Sequence, residues 1–206
     1  KRLSRRLLLQ HSLHTRYVHI HWLAGLADME SEASVDEGIE LLRFAKQLGY
    51  VVLWTVHNET AHDTQHPHLD ERMRAALASA ADRIIVHERG SIARLAAKYA
   101  VSAERIAYMP HGTYAGFYTP SRDDGRGLRK RLGIPNGAFC VGLVGQIRGY
   151  KGFLEFVEAW QQHADPSWHL LIAGKPNDPA LAETLESIAL AHRNVHVRLG
   201  RIANDD

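Results

Sequence analysis

The sequence has very little of several features that help to classify proteins. Cys140 is the one cysteine in 206 residues, so no internal disulfide can form, and the apolar neighbours Phe139 and Val141 predict a buried thiol in a reducing compartment. Lys and Arg number 25 against 23 Asp and Glu, a balance without the clustered positive charge that nucleic acids bind. We therefore expect a cytoplasmic protein without a nucleic-acid partner.

Long apolar runs are also missing. Leu7-Leu8-Leu9 follows four basic residues among the first six, but three leucines are too few for a signal-peptide core or a membrane span. The segment predicts either a solvated helix or a basic surface that touches anionic lipid, so peripheral membrane association stays open. Because the chain begins without Met and ends directly after a strand pattern, we interpret it as part of a longer protein.

Buried-strand patterns alternate with helix patterns through the first half of the chain. A Ser34-Val35-Asp36-Glu37 capping box predicts the start of a helix that ends at Gly49. Two further helices are predicted after it. Four predicted strands alternate with these three helices, at Tyr17 to Trp22, Tyr50 to Val56, Arg83 to His87 and Arg105 to Met109. Such alternation predicts an α/β fold with a parallel, helix-covered sheet.

A second series of the same kind begins after a glycine-rich and charged stretch. Residues 113–137 predict an interdomain linker with one short helix near Leu128 to Leu132. The series contains strands at Phe139 to Ile147, His169 to Ala173 and Val195 to Leu199, a helix from Phe153 to His163, and a helix opened by Asp178-Pro179. We thus expect two Rossmann-like lobes, both incomplete: 1–112, the linker 113–137, and 138–206.

The most informative motif joins the first strand of the second series to its helix. Gly145, Gly149 and Gly152 let a ligand approach the backbone, and the following helix presents free N–H groups to a phosphate. Arg148 and Lys151 add two positive charges. The spacing matches neither a Walker loop nor the G-x-G-x-x-G fingerprint, so an anion site and a tight structural turn remain equal alternatives on these residues alone.

Several motifs in order resemble family 4 retaining glycosyltransferases of the bacterial polysaccharide type. Residues 145–152 and 170–175 are similar to the start of the donor lobe of that GT-B family. Residues 19–22, 54–58 and 109–114 are similar to its acceptor lobe and junction. The resemblance extends from about Tyr17 to the last residue, and it implies transfer of a sugar from a UDP- or GDP-sugar to a glycan or lipid-linked acceptor, for polysaccharide biosynthesis.

The resemblance also implies roles for particular residues. Arg148 and Lys151, with Gly145 and Gly152, correspond to the donor diphosphate site. The position of His57 corresponds to a histidine near the transferring sugar, and we take it as the catalytic candidate. His111 and Gly112 correspond to the junction that lines the cleft. Two family motifs, a glycine-rich first loop and a glutamate pair, have no counterpart in these 206 residues.

Two alternatives to this interpretation are worth testing. The fourteen histidines include His19 and His21, His57 and His62, and His66 and His68, at spacings that zinc sites use. We favour ordinary hydrogen-bonded histidines, because no carboxylate recurs at ligand spacing, and we expect neither a metal nor a cofactor. A non-catalytic nucleotide-sugar-binding module of the same fold is the alternative to an enzyme.

Overall fold

A computed structural model describes residues 2–60, 64–117 and 125–202. The chain divides into two compact units, Lys1–Thr113 and Tyr114–Asp206. Each unit contains one parallel sheet and its own apolar core. None of the helices in the described ranges is long and apolar enough to cross a membrane.

Unit 1 is built on a parallel sheet whose spatial order follows the chain. Its strands are β1 (Tyr17–Ile20), β2 (Val51–Val56), β3 (Arg83–Val86) and β4 (Ile106–Tyr108). Its helices are α1 (Arg5–His11), α2 (Glu32–Gln47), α3 (Pro67–Ala80) and α4 (Ser91–Tyr99). Since neighbouring strands run parallel, the segments that follow β1 to β4 all lie at one edge of the sheet, where ligands of open α/β sheets bind.

Helix α2 begins earlier than the capping-box pattern predicted. Its first residue is Glu32, and the side-chain oxygen of Ser31 accepts a hydrogen bond of 3.2 Å from the backbone N–H of Ser34. Ser34 lies inside the helix, where its hydroxyl accepts hydrogen bonds from Arg2 and from the backbone N–H of Asp28. Serine is a favourable N-cap residue, so both positions are suitable by residue type. Because the hydroxyl of Ser34 is engaged by the preceding segment, Ser31 caps the helix.

The core of unit 1 fills the space between the sheet and its helices. Val52, Met73, Leu77 and Ile84 are fully buried there. Burial of each such side chain stabilises the fold by about 1.5–3 kcal/mol. At the end of α3, the guanidinium of Arg105 donates hydrogen bonds to backbone carbonyl oxygens that the helix leaves without partners, those of Ala78, Ser79 and Ala81. These contacts join consecutive β-α pairs into one body.

Unit 2 repeats the pattern with three parallel strands in chain order. Its elements are α5 (Arg126–Leu132), β5 (Cys140–Val144), α6 (Phe153–His163), β6 (His169–Gly174), α7 (Pro179–Ala191) and β7 (Val195–Leu199). The core contains Val157 of α6, Leu170 and Ile172 of β6 and Leu185 of α7. The predicted start of α7 is confirmed: the carboxylate of Asp178 accepts a 2.9 Å hydrogen bond from the N–H of Ala180, and Pro179 begins the helix.

Strand β5 is shorter than the apolar run from Phe139 to Ile147 predicted. The chain turns at Gly145, whose φ is 138°, and Ile147 is fully buried in an isolated bridge with Pro176. Ile147 is therefore apolar because its buried side chain anchors the turn after β5, and not because it belongs to the strand. Cys140, at the start of β5, is half-buried, whereas the sequence predicted a buried thiol.

The two parallel, helix-covered sheets confirm the predicted α/β fold class. The boundary between the compact units follows Thr113. Residues 118–124 of the predicted linker 113–137 lie outside the described residues, and α5 occupies a later part of it. The lobe limits 1–112 and 138–206 stay predictions.

Candidate functional site

Histidines gather at the carboxyl edge of the sheet in unit 1. His19 lies near the end of β1 and His21 follows it, while His57 directly follows β2. His87 directly follows β3, and His111 comes three residues after β4. We call these five residues the histidine row. They come together because the ends of parallel strands meet at the same edge.

Adjacent rings of the histidine row lie close enough to interact. The ring centroids of His19 and His21 are 4.1 Å apart, and those of His21 and His57 are 5.4 Å apart. The distance from His57 to His87 is 5.2 Å, and that from His87 to His111 is 4.9 Å. His19, His21 and His111 are exposed, whereas His57 and His87 are half-buried. The row is therefore continuous and reachable from solvent.

Hydrogen bonds fix several of these rings. His21 Nδ1 and His57 Nε2 are 3.1 Å apart, so one of them carries the proton and the other accepts it. His87 Nδ1 lies 2.8 Å from the carbonyl oxygen of Met109, which can only accept, so this nitrogen is the N–H donor. The other ring nitrogen of His87, Nε2, is buried and has no hydrogen-bond partner.

Burial and mutual repulsion make His57 a weaker base than free histidine. Burial lowers its pKa, and the neighbouring rings of His87, His21, His111 and His19 lower it further, since each charged form disfavours the next. The pKa of His19 is lowered in the same way, first by burial and then by His21. At neutral pH, His57 is thus uncharged, and because its Nε2 is bonded to His21, its Nδ1 is left to form one hydrogen bond with a hydroxyl group.

A buried ion pair supports the segment that carries His57. Arg74 and Asp70 on α3 are each 8% exposed and form a hydrogen-bonded ion pair. Arg74 also donates a 2.6 Å hydrogen bond to the carbonyl oxygen of Asn58, the residue after His57. On the other side, the exposed ring of Trp22 stacks on His57 at 4.6 Å with an angle of 15°. Trp54, by contrast, is a core residue with 2% exposure.

The histidines do not assemble into a metal-ligand set in the part of the chain that the structure describes. No group of three or more His, Cys, Asp or Glu side chains there has a geometry that could hold a metal ion. His66 and His68 lie at the start of α3, with ring centroids 6.1 Å apart. His62, which completed one of the predicted spacings, lies outside the described residues.

Of the predicted junction residues, His111 belongs to the histidine row of unit 1 and Gly112 follows it. His111 is exposed, and its ring contacts His87. A side-chain carbon added to Gly112 would meet no atom within 4 Å, so the surface beside His111 is open. The structure thus places His57, His111 and Gly112 at one edge of one unit.

Glycines form the corresponding edge of unit 2. A Cβ atom added to Gly174, the last residue of β6, would lie 1.7 Å from the carbonyl oxygen of Gly145. Only glycine fits this close approach. Backbone hydrogen bonds of 3.0 Å, from Gly145 N to Ala173 O and from Ile147 N to Lys175 O, hold the two turns together. The turn that carries Arg148 and Lys151 therefore has a fixed backbone.

The predicted diphosphate ligands lie on this fixed turn. Lys151 is exposed, and Arg148 is half-buried with its guanidinium 3.0 Å from the side-chain oxygen of Gln146. Gly152, with φ of 71°, precedes the first residue of α6 and supplies no side-chain cap to the helix. The first turn of α6 thus presents backbone N–H groups beside two cations, an arrangement that attracts anions. Glu155 in the same turn is the one opposing charge.

Sequence reasoning missed two parts of these edges. The sequence pattern at His87 indicates only the end of a strand, whereas in the structure His87 follows β3 as His57 follows β2. Gly174, which ends β6, and Gly200, which follows β7, both have positive φ. Sequence reasoning does not group them with Gly145, although they lie at the same edge of the sheet. In both cases the signal was available, because residues at the ends of successive parallel strands become neighbours.

The chain is similar to known glycosyltransferases. It is 30% identical over 156 residues to the D-inositol 3-phosphate glycosyltransferase of Corynebacterium efficiens, an alignment that covers 72% of this chain and 35% of that protein. The chain spans about a third of the length of the curated relatives it matches, with 35% and 34% of two of them covered. No protein-family model matches the chain.

Solved structures show the same fold. The crystal structure of Anabaena HepE in complex with UDP and glucose matches 97% of this chain and 51% of its own length, with a TM-score of 0.70 and 17% identity. A glycosyltransferase from Rickettsia africae matches 96% of this chain and 52% of its own length, with a TM-score of 0.63 and 12% identity. The chain therefore has the α/β fold of GT-B glycosyltransferases.

Proposed function

We propose that the protein containing this chain is a retaining glycosyltransferase that transfers a sugar from a UDP- or GDP-sugar to a glycan or lipid-linked acceptor. The observation that carries the proposal is the turn of unit 2, where Gly145 packs against Gly174 and presents Arg148, Lys151 and the start of α6. That turn has the donors and charges that a diphosphate needs.

The chemistry required of unit 2 is stabilisation of a leaving group. As the bond between the anomeric carbon and the diphosphate oxygen breaks, positive charge develops on the sugar and negative charge on the diphosphate. Arg148 and Lys151 bind this diphosphate through charge-assisted hydrogen bonds, and the N–H groups of α6 add to them. The fixed backbone of the turn limits reorganisation during the step. These groups perform the task without a metal ion.

The chemistry required of unit 1 is orientation of hydroxyl groups. His57 is neutral at neutral pH, since burial and its neighbours lower its pKa. Its Nε2 is bonded to His21, so its Nδ1 donates to, or accepts from, one hydroxyl group. His57 orients the transferring sugar or the acceptor in this way, while Trp22 and His21 hold its ring. His111 and the open surface at Gly112 line the same part of the site.

The comparisons favour a nucleotide-sugar donor and a polar acceptor. HepE was crystallised with UDP and glucose, which makes a UDP-sugar the first donor to test. The Corynebacterium efficiens relative is named for D-inositol 3-phosphate, a phosphorylated polyol. Such compounds are therefore acceptor candidates beside glycans and lipid-linked sugars. The basic residues of the segment before β1 are candidates for a peripheral membrane contact of the protein.

A thermal-shift screen of the chain tests the donor assignment. We expect UDP-glucose, UDP or their GDP counterparts to raise the unfolding temperature of unit 2, because a ligand that binds only the folded state stabilises it. Uridine and guanosine, which keep the base and ribose but lack the diphosphate, are the matched controls and should have little effect. If none of the nucleotides stabilises the chain, the proposed donor site is wrong. If a nucleotide binds but the protein transfers and hydrolyses no sugar, a non-catalytic binding module is the better account.

A further inference from the structure

The side chain of Trp22 is exposed at the carboxyl edge of the sheet in unit 1. Trp22 follows His21 after the end of β1, and the residue is 60% exposed. Its backbone is nevertheless held, because the N–H of Gly25 donates a 3.0 Å hydrogen bond to the carbonyl oxygen of Trp22 and the next side chain, Leu23, is buried. A large aromatic ring that stays in water on a fixed backbone is typical of a binding surface.

One face of the Trp22 indole is covered by the candidate catalytic residue. The ring of His57 stacks on it, with centroids 4.6 Å apart and 15° between the planes. Because Trp22 stays 60% exposed with this face covered, its other face is open. His57 is itself bonded to His21 at 3.1 Å, so the indole has a fixed support. Trp22 thus presents a flat apolar surface to solvent, with the indole N–H as a donor at its rim.

The other exposed aromatic residues of unit 1 have different surroundings. Tyr17 is also 60% exposed, but it begins β1 and so lies at the opposite edge of the sheet. Tyr108 ends β4 at the carboxyl edge, but the guanidinium of Arg89 lies over its ring at 4.3 Å. Among the described residues of unit 1, Trp22 is therefore the exposed aromatic residue that combines an open face with a position beside the histidine row.

The other groups at this edge favour a neutral, polar ligand. The carboxylates of Glu59 and Glu88 both pair with the guanidinium of Arg94, so negative charge is left beside the row and disfavours an anion. The exposed rings of the row offer hydrogen-bond donors and acceptors, which an aliphatic chain would leave unused. A sugar ring has both properties that this surface requires: its C–H groups form an apolar face that packs on an aromatic ring, and its rim carries hydroxyl groups.

We propose that the open face of Trp22 stacks on a sugar ring of the acceptor, next to the sugar that receives the transferred residue. Because His57 covers the other face, the indole separates a sugar on the open face from His57. That sugar is therefore not the one whose hydroxyl group His57 orients. The acceptor is then a glycan of at least two sugar residues. The inference rests on the proposed glycosyl transfer for the position of the receiving sugar, whereas the stacking itself is testable without it.

The first experiment observes Trp22 directly, by fluorine NMR of the chain labelled with fluorotryptophan. The four tryptophans give four signals, and Trp22→Phe identifies the one that belongs to Trp22. The probes are the methyl glycosides of glucose, mannose and galactose and the disaccharides of these sugars. We expect at least one disaccharide to move the Trp22 signal and to leave that of Trp168, the exposed tryptophan of unit 2, unchanged. If no probe moves the Trp22 signal, or if both signals move alike, the proposal is wrong.

The second experiment measures transfer by the full-length protein to the disaccharide that moves the Trp22 signal and to its monosaccharide methyl glycoside. Trp22→Ala should lower the ratio of the two kcat/KM values, disaccharide over monosaccharide, by about tenfold, because only the longer acceptor reaches the indole. Trp22→Tyr keeps a flat ring and should retain most of the ratio. Tyr17→Ala removes an equally exposed aromatic ring at the opposite edge and should behave like the parent.

The ratio distinguishes sugar stacking from support of His57. If Trp22 only holds the ring of His57, Trp22→Ala lowers both kcat/KM values by the same factor, the ratio stays unchanged, and the inference fails. If UDP moves the Trp22 signal and no sugar does, the surface binds a nucleobase and the inference also fails. If a disaccharide moves the signal but the full-length protein transfers no sugar, the stacking is supported and the proposed glycosyl transfer fails.

Discussion

The two units present the carboxyl edges of their sheets in opposite ways. In unit 1, successive strands end in histidines that contact one another over 4.1 to 5.4 Å. In unit 2, Gly145 follows β5, Gly174 ends β6 and Gly200 follows β7, each with positive φ. One edge therefore acts through side chains, and the other acts through backbone and two nearby cations. The same β-α plan thus presents side-chain donors and acceptors in one place and allows close backbone approach in the other.

This difference implies different responses to substitution. A side chain of the histidine row can be replaced with little effect on folding, because the rings lie at a solvent-accessible edge. A glycine of unit 2 that touches the backbone of another turn cannot be replaced without moving that turn. Substitutions in the histidine row should mainly change binding and its pH dependence, whereas those at the glycine contact should change stability.

The largest effect is expected for Gly174→Ala. The added Cβ atom would lie 1.7 Å from the carbonyl oxygen of Gly145, a distance that forces the two turns apart. We expect unit 2 to lose more than about 4 kcal/mol of stability, a loss that only severe core or backbone defects cause. Hydrogen exchange resolved by residue would show loss of protection in β5, β6 and β7 but not in β1 to β4.

The control for this substitution is Gly137→Ala. Gly137 has open space around its Cβ position and precedes β5, so its replacement should change stability by less than about 0.5 kcal/mol. If Gly174→Ala retains normal protection in unit 2, the contact between the two turns is not a constraint, and the contrast between the edges is lost.

The next largest effect is expected for Arg74→Met in unit 1. This change leaves Asp70 buried without its partner and removes the hydrogen bond to the carbonyl of Asn58 beside His57. Removing one partner of a buried pair costs about 3–5 kcal/mol. Denaturant unfolding should show that cost, and the double variant with Asp70→Leu should recover part of it. A single variant as stable as the parent would mean that the pair does not support the His57 segment.

A smaller effect concerns pH. Burial and the neighbouring rings lower the pKa of His57 in the folded state below its pKa in the unfolded chain. At pH values between these two pKa values, the unfolded chain binds more protons than the folded chain does. The stability of unit 1 should therefore fall as the pH decreases from 7.5 through about 6. His57→Gln should reduce that dependence. Unfolding temperatures measured across this range check the prediction, and a dependence unchanged by His57→Gln contradicts it.

Unit 2 contains its own comparison for the pH effect. Burial and His169 lower the pKa of His196, whose Nε2 lies 3.0 Å from His169 Nδ1. His196→Gln should flatten the pH dependence of unit 2 and leave that of unit 1 unchanged. Hydrogen exchange at two pH values separates the units, because it reports local opening at each position.

Much of the fold could be predicted from the sequence. The apolar run of β2, the helical periodicity of α3 and α6, and the Asp178-Pro179 start of α7 agree with the structure because each is a local pattern. The start of α2 and the end of β5 could not be predicted in this way. Both depend on tertiary contacts: those of Ser34 with Arg2, and the bridge of Ile147 to Pro176.

The sites were predictable to a smaller extent. The charges and glycines of the turn between β5 and α6 pointed to an anion site, and His57 was selected by resemblance. The fit of Gly174 against Gly145 depends on backbone geometry that no local pattern encodes. The contacts between rings of the histidine row depend on the order of the parallel strands in the sheet. The alternation of helices and strands predicts a parallel sheet, but it does not determine that order.

The most direct test of the donor site is calorimetric titration of UDP and GDP into the chain and into the variants Arg148→Ala and Lys151→Ala at fixed salt. Each hydrogen bond from a cation to the diphosphate contributes roughly 1.5–3 kcal/mol, so each variant should bind about tenfold more weakly or worse. Arg126→Ala, an exposed basic residue of α5, should bind like the parent chain. If both loop variants also bind like the parent, the turn is only structural, and the proposed donor site is contradicted.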